Sequence, residues 1–397
     1  MSLLQFKGRV GPTEILNGLR QARGRKGGMS GATFRFAAGS SPTPGAVALL
    51  AAWILSDRQA GGAPQISGDT AVIEALRRID RSNLLGLPRS ASAPAPRTNV
   101  VPLIAISDGV KVNEAVDSLC DLVMRHAVEP RAVMPAIEWA ANEVTDNVEL
   151  HASAATPGVF YARIDERRQR LELAVVDQGI GIRQSLASST PTGSDGEAIA
   201  KALQRGVTRD PKIGQGNGLA GTREIVVENG GDLHVWSGNA MFRILAGQDK
   251  GYVEVPRAFG TGLVLNFRLD RPIDLRKTFI AGTALDFIGK QAEAAQTAGL
   301  LVRDEVISAR ARAPAAALRR KIMAMLPDLD SPLIIDFAGI NGAASSFLDE
   351  LLGRLAAELG ESTFRRHVEV RNMNPLVAQT ANVVISQRLH GLPTGSQ

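Results

Sequence analysis

The rhythm of hydrophobic and polar positions divides the chain into three blocks. Residues 1–30 are polar, basic and glycine-rich, and read as a partly ordered segment. Thr33-Phe34-Arg35-Phe36 then alternates as a strand does. A Ser/Pro/Gly turn over 40–45 leads into an apolar helical run, Ala46–Ser56. A Gly-Gly turn, an apolar patch at Gln65–Ile66 and a second helical pattern over 70–81 follow. Strand, helix, strand, helix in this order predicts a small α/β unit over 31–88. The Pro/Ala/Ser-rich run that ends it reads as a linker over 89–99.

The second block covers 100–270. Ile137, Ala140 (or Ala141), Val144 and Val148 recur at helical spacing and predict a helix over 131–151. Val159–Ile164 and Leu171–Val176 read as a hairpin-like pair joined by the charged turn Asp165–Arg170. A Gly/Ser/Thr-rich segment over 182–218 contains one helical stretch near Gly196–Arg205. A helix over 219–229 and strands at Asp232–Ser237 and Gly262–Leu269 complete the block. The third block, 271–397, again reads strand (332–337), helix (346–359), strand (367–370), helix (375–389).

Composition narrows the choices. With 397 residues, 44% hydrophobic and 21% charged, the chain has the makings of two or three domains, each able to bury a core. Aromatics at 4% argue against a stacking surface for single-stranded nucleic acid. The net charge of +5 owes part of its excess to the first thirty residues, which could meet an acidic partner, although a solvated basic segment is the plainer reading; nucleic acid is not the expected partner. Cys120 is the one cysteine, so no disulfide within the chain and no thiolate metal cluster is available. Ala46–Leu55 is too short to span a bilayer, which takes about 20 residues, and the first residues lack a secretory apolar core. A cytoplasmic location with no membrane contact is the expectation.

Three stretches carry chemistry. Residues four apart on a helix are offset by only about 40°, so Glu143, Asn147 and His151 share one stripe. A carboxylate beside a carboxamide suits orienting a water and holding a hard cation; a solvated polar face is the plainer alternative. Asp177 ends the apolar strand Leu173–Val176 and is followed by Gly179-Ile180-Gly181-Ile182. A strand-end carboxylate can accept an adenine amino hydrogen while the glycines let the backbone approach the ring. Gly214, Gly216, Gly218 and Leu219 open a helix, where free amides suit phosphate. Gly216 to Gly221 also spells the dinucleotide fingerprint, but the polar, proline-bearing Thr208–Ile213 stands where a hydrophobic strand is required. P-loop and His-Glu-x-x-His motifs are absent, and the five histidines are scattered.

In this order the stretches resemble the GHKL superfamily, the ATP-binding Bergerat fold of DNA gyrase B, a class of heat-shock chaperones, histidine kinases and MutL. The anti-sigma-factor serine kinases are its most similar branch. Glu143 and Asn147 match the N box, Asp177 to Ile182 the first glycine box, Gly214 to Leu219 the second, and Gly260-Thr261-Gly262 the Gly-Thr before the last strand. The resemblance implies an α/β sandwich over 100–270 that binds ATP with Mg2+ under a mobile lid at about 183–217. Glu143 would be the catalytic base and Asn147 the Mg2+ ligand. Asp177 and Thr261 would meet adenine, Gly179, Gly181 and Ile182 would shape its cavity, and Gly214, Gly216, Gly218 and Leu219 would hold phosphates. Arg209 and Lys212 would be lid cations, and His151 stands where the anti-sigma branch often has histidine.

The third block is similar to STAS-like domains through Asp336-Phe337-Ala338-Gly339-Ile340 and Ser345 to Leu351. It departs from the antagonist pattern, with Ala344 in place of an aspartate and Phe347 in place of a glycine, which puts a phosphoacceptor role for Ser345 or Ser346 in doubt. Ser346 as a helix cap, with Asp349 in the first turn, is the structural alternative. The 31–88 unit looks like a more divergent relative. The fold class expected is therefore mixed α/β, an ATP-binding sandwich flanked by small STAS-like units. The function expected is ATP hydrolysis or phosphoryl transfer to a protein serine or threonine, coupled to regulatory protein partners and possible homodimer formation. The alternative is a non-catalytic nucleotide-gated switch. A histidine kinase proper fits poorly, because His126 is followed by Ala127-Val128-Glu129-Pro130.

Overall fold

The computed structural model describes residues 3–23, 32–88, 97–151, 155–207, 218–258, 260–273, 299–306, 309–310, 312–326, 332–340, 342–373 and 375–390. The chain is mixed α/β and forms two compact units, Met1–Asp274 and Leu275–Gln397.

The first unit begins earlier than the sequence suggests. Residues 3–23 form β1 (Leu3–Phe6), the short β2 (Arg9–Val10) and α1 (Pro12–Arg23). Ile15, Leu16 and Leu19 form one buried stripe on α1, and Pro12 stands in its first turn. The expectation of a partly ordered basic segment is corrected for these residues: Lys7 and Arg9 are exposed around β2, and Glu14 and Arg20 are exposed on α1, outside its buried stripe. Next come β3 (Thr33–Phe36), β4 (Ser41–Pro42), α2 (Pro44–Gln59), β5 (Gln65–Gly68) and α3 (Thr70–Ile79). β1, β3 and β5 make a parallel sheet in that order, and β2 pairs with β4. Phe6 stacks with Phe34 and Phe36 beneath it, and Trp53 of α2 meets Phe34 edge-on.

Residues 97–273 contribute β6 (Val100–Ile106), α4 (Gly109–His126), α5 (Pro130–His151), β7 (Gly158–Asp165), β8 (Arg170–Val176), α6 (Ile182–Ser185) and α7 (Asp195–Ala202). They continue with α8 (Gly218–Asn229), β9 (Asp232–Ser237), β10 (Ala240–Leu245), β11 (Gln248–Glu254) and β12 (Thr261–Arg268). The seven strands form one antiparallel sheet in the order β11-β10-β9-β12-β8-β7-β6. The β10–β11 hairpin escaped the sequence reading because its turn, Ala246-Gly247, carries little signal; both residues adopt positive φ, at 49° and 75°.

Alternation along the strands gives this sheet two buried faces. Phe160, Ala162, Leu173, Val175, Leu263 and Leu265 are buried on one face, the side of α4, α5 and α8. Val159, Tyr161, Ala174, Val176, Trp236 and Val264 join the core of the first 87 residues on the other. α2 lies on that second face, over β7, β8 and β12. Every residue from Pro44 to Ile54 is buried, because α2 packs on both sheets at once. A Gly45 amide at its N-terminal end donates to the Glu172 carboxylate, whose pKa burial nevertheless raises. The small unit and the central sheet therefore share one core rather than standing apart across a linker, most of which (89–96) lies outside the described residues.

In the second unit β13 (Gly299–Leu301), β14 (Leu333–Asp336) and β15 (Val368–Arg371) form a parallel sheet in sequence order, the arrangement also seen in β1-β3-β5. Helices Arg312–Met325 and Pro375–His390 pack around the helical run that begins at Ser345. That run passes through a π-helical turn, Asp349–Gly353, before continuing to Leu359. The expected cap is corrected here: Ala344 occupies the N-cap without a side-chain bond, and Ser346 lies inside with its hydroxyl buried and unpartnered among the described residues. Asp349 sits in the π turn, where Arg388 grips it through two bonds of 2.8 and 2.7 Å and Arg312 adds one of 3.3 Å.

Candidate functional site

α5 owes its place to its apolar stripe. Ile137, Ala140, Ala141 and Val144 are fully buried against the sheet, and α8 packs alongside. Glu143 and Asn147 follow one turn apart on the half-buried flank. Thr145 is inward, its hydroxyl bonded to Ala141 O at 2.7 Å. Asn142 turns inward too, donating to Glu138 O at 2.9 Å. The Asn147 amide nitrogen is buried and has no hydrogen-bond partner among the described residues. Buried amides are nearly always paired, so an unpaired one is a place where a bound group would be satisfied. The side chain of His151 lies outside the described residues.

Asp177 emerges where β8 ends. Its backbone N–H still donates to Thr261 O on β12 at 2.9 Å, so the sheet holds its main chain. Its Oδ1 accepts from Gly179 N at 2.7 Å and from Thr261 N at 3.3 Å. Both bonds converge on Oδ1, which leaves Oδ2 without a donor among the described residues. The carboxyl is only 6% exposed, and burial pushes its pKa up to about 6 although the two amides oppose the rise. A carboxylate so desolvated is poised to take a further hydrogen-bond donor.

Two glycines make this turn possible. Gly181 has φ +77° and Gly260 φ +70°, and a Cβ on Gly260 would lie 2.2 Å from Asp177 O. Between them sits Ser237, a residue the sequence did not single out. Its buried hydroxyl accepts from Ile182 N at 2.9 Å and donates to Gly260 O at 3.1 Å. A lone serine at a strand end has no motif around it; only the register of β9 on β12 brings it here.

α5 reaches the same strand ends. A Cβ on Gly158 at the start of β7 would lie 2.4 Å from Val148 Cγ1 and 3.3 Å from Val176 O, so the turn bearing Asn147 and Val148 caps the β7–β8 edge. Further along the stripe, a Cβ on Gly218 would fall 2.2 Å from Glu143 Oε2. Glu143 thus stands at the first residue of α8, where helix amides favour negative charge. Leu219 is half-buried beside it. Gly214 and Gly216, with Arg209 and Lys212, lie outside the described residues.

The segment after Ile182 folds as α6 and α7. Asp195 accepts from Asn239 N at 2.8 Å, and Arg205 reaches Glu224 on α8 through Nε at 2.6 Å and through Nη2. Among the described residues no group of three His, Cys, Asp or Glu side chains could hold a metal ion. A Mg2+ site resting on one protein oxygen needs no such group. No described helix is long and apolar enough to cross a membrane.

Residues 315–378 match the family described as a STAS-like domain of unknown function (DUF4325). That match speaks for a regulatory role exerted through contact with other proteins. No curated protein and no solved structure matches the chain.

Proposed function

We propose that residues 100–270 bind Mg-ATP in the manner of the GHKL superfamily and couple nucleotide binding to regulatory contacts made through the STAS-like domain. The observation that carries this reading is Asp177: a desolvated strand-end carboxylate with one oxygen taken by two amides and the other left for a donor. An adenine amino group is such a donor. The glycines at 181 and 260 let Ser237 and the Asp177 main chain close in around this carboxylate, where a Cβ would clash.

The rest of the site follows from the same placement. Asn147 fits a Mg2+ ligand, since its buried amide lacks a protein partner among the described residues and turning the carboxamide over would present its oxygen instead. Bound Mg2+ would supply charge neutralisation at the phosphates. Glu143, which lies beside the first residue of α8, is read as the base that would take a proton from water or a substrate hydroxyl near phosphates at that helix. Gly214, Gly216, Gly218 and Leu219 are read as the phosphate loop, and α6–α7 as part of its cover. The N-terminal unit is read as a second, divergent STAS-like module whose sheet order repeats that of the C-terminal one.

Calorimetric titration with ATP, with and without Mg2+, tests the binding. Radiolabel transfer and phosphate release then separate an enzyme from a nucleotide-gated switch. Under the enzymatic reading Glu143→Ala removes turnover while ATP still binds; under the switch reading wild-type turnover is negligible. Ser345 and Ser346, 8% and 4% exposed, are poorly placed as acceptors of a phosphoryl group in this fold.

A further inference from the structure

We propose that Ser237 is the positioning residue of the purine pocket, fixing through the Gly260–Thr261 peptide how Asp177 is held and thereby the preference for adenine over guanine. The inference rests on the reading of Asp177 as the base acceptor and adds a residue outside the motifs that suggested it.

The Gly260–Thr261 peptide is bonded on both edges. Its carbonyl accepts from Ser237 Oγ at 3.1 Å, and its N–H donates to Asp177 Oδ1 at 3.3 Å. A peptide unit is planar, so the direction of the carbonyl sets that of the N–H. The same hydroxyl accepts from Ile182 N at 2.9 Å and so anchors the far end of the turn whose Gly179 amide supplies the second bond to Oδ1. One side chain therefore fixes the strand start and the turn from which both donors come. Ser237 is itself rigid: it is 3% exposed and paired across the sheet with Thr261 on one side and Ala240 on the other.

Selectivity follows from where the donors end. With Oδ1 held by two amides, Oδ2 faces the base as an acceptor. Adenine offers an amino donor there, whereas guanine offers a carbonyl oxygen that gains nothing. Burial and the two amides are the influences on the Asp177 carboxyl; no charged side chain among the described residues contributes. Loosening the Gly260–Thr261 peptide thus acts directly on that carboxylate.

Full-length wild type and Ser237→Ala are titrated with ATP and with GTP between pH 5.5 and 8. The variant is expected to bind ATP about tenfold more weakly, the worth of one well-placed hydrogen bond. Its ATP-to-GTP affinity ratio falls, and the pH midpoint of ATP binding moves up as Asp177 loses support. A merely structural role would lower stability without moving the ratio or the midpoint. Amide exchange in the unliganded wild type needs no variant: the Ile182 N–H exchanges slowly if its bond to Ser237 persists. It keeps the proposal open to refutation if the variant does not fold. Fast exchange at Ile182, or a variant with unchanged ratio and midpoint beside a wild type that binds ATP, overturns the role of Ser237 alone. A wild type that binds neither nucleotide overturns the purine reading on which that role depends.

Discussion

The carboxyl of Asp177 is held where a charge is expensive. Its pKa rises from 3.8 to about 6, so the folded protein keeps a proton that the unfolded chain releases. Stability is therefore fully present below about pH 4, falls as pH climbs toward about 6, and levels off above, at a cost of about 3 kcal/mol. Asp177→Asn keeps an oxygen for the amides of Gly179 and Thr261 and removes the charge. The variant should be more stable than wild type in urea at pH 7, with the gain vanishing near pH 4, and should fail to bind ATP. Under the proposed reading, this carboxylate is retained against stability because it binds the base. ATP affinity of the wild type should weaken as pH drops through about 6, where Asp177 becomes protonated. Gly260→Ala drives a Cβ into Asp177 O, 2.2 Å away, at a φ of +70°. It should cost at least about 2 kcal/mol in denaturant unfolding and abolish nucleotide binding with it.

Helices and strands explain what could be read in advance. α5, α8 and the β7–β8 pair were legible because each has a clean apolar period and a motif at its end: Glu143 and Asn147 on one helix, Asp177 after one strand. The β10–β11 hairpin, β13 and the helix Arg312–Met325 were not foreseen: the strands carry no motif, and the helix's buried stripe is only Ala315, Leu318 and Ile322 within an Ala/Arg-rich run. α2 showed only that it is apolar. A helix apolar all round is buried on all sides, and packing on two sheets supplies the reason. Ser237 was invisible because its partners are 55 and 23 positions away. The placement of α2 is open to test. Ala48 is wholly buried, so Ala48→Glu should unfold the entire first unit or lower its stability by more than about 3 kcal/mol. Loss confined to the first 87 residues, seen by amide exchange, would contradict a shared core.

At the scale of the molecule, the chain joins a sandwich built on a seven-stranded antiparallel sheet to a C-terminal STAS-like domain that folds around its own core. Residues 1–274 bury their hydrophobic surface among themselves. A truncation after residue 274 should fold, unfold cooperatively and bind ATP with the affinity of the full chain; a fragment starting at residue 97 should be insoluble, because it exposes the sheet face that α2 covers. The most direct test remains isothermal calorimetry of the full-length protein with ATP and Mg2+ near pH 7.5. The account predicts saturable binding of one ATP per chain that Asp177→Asn removes. No heat of binding in well-folded wild-type protein, or equal affinity in the two proteins, would contradict it.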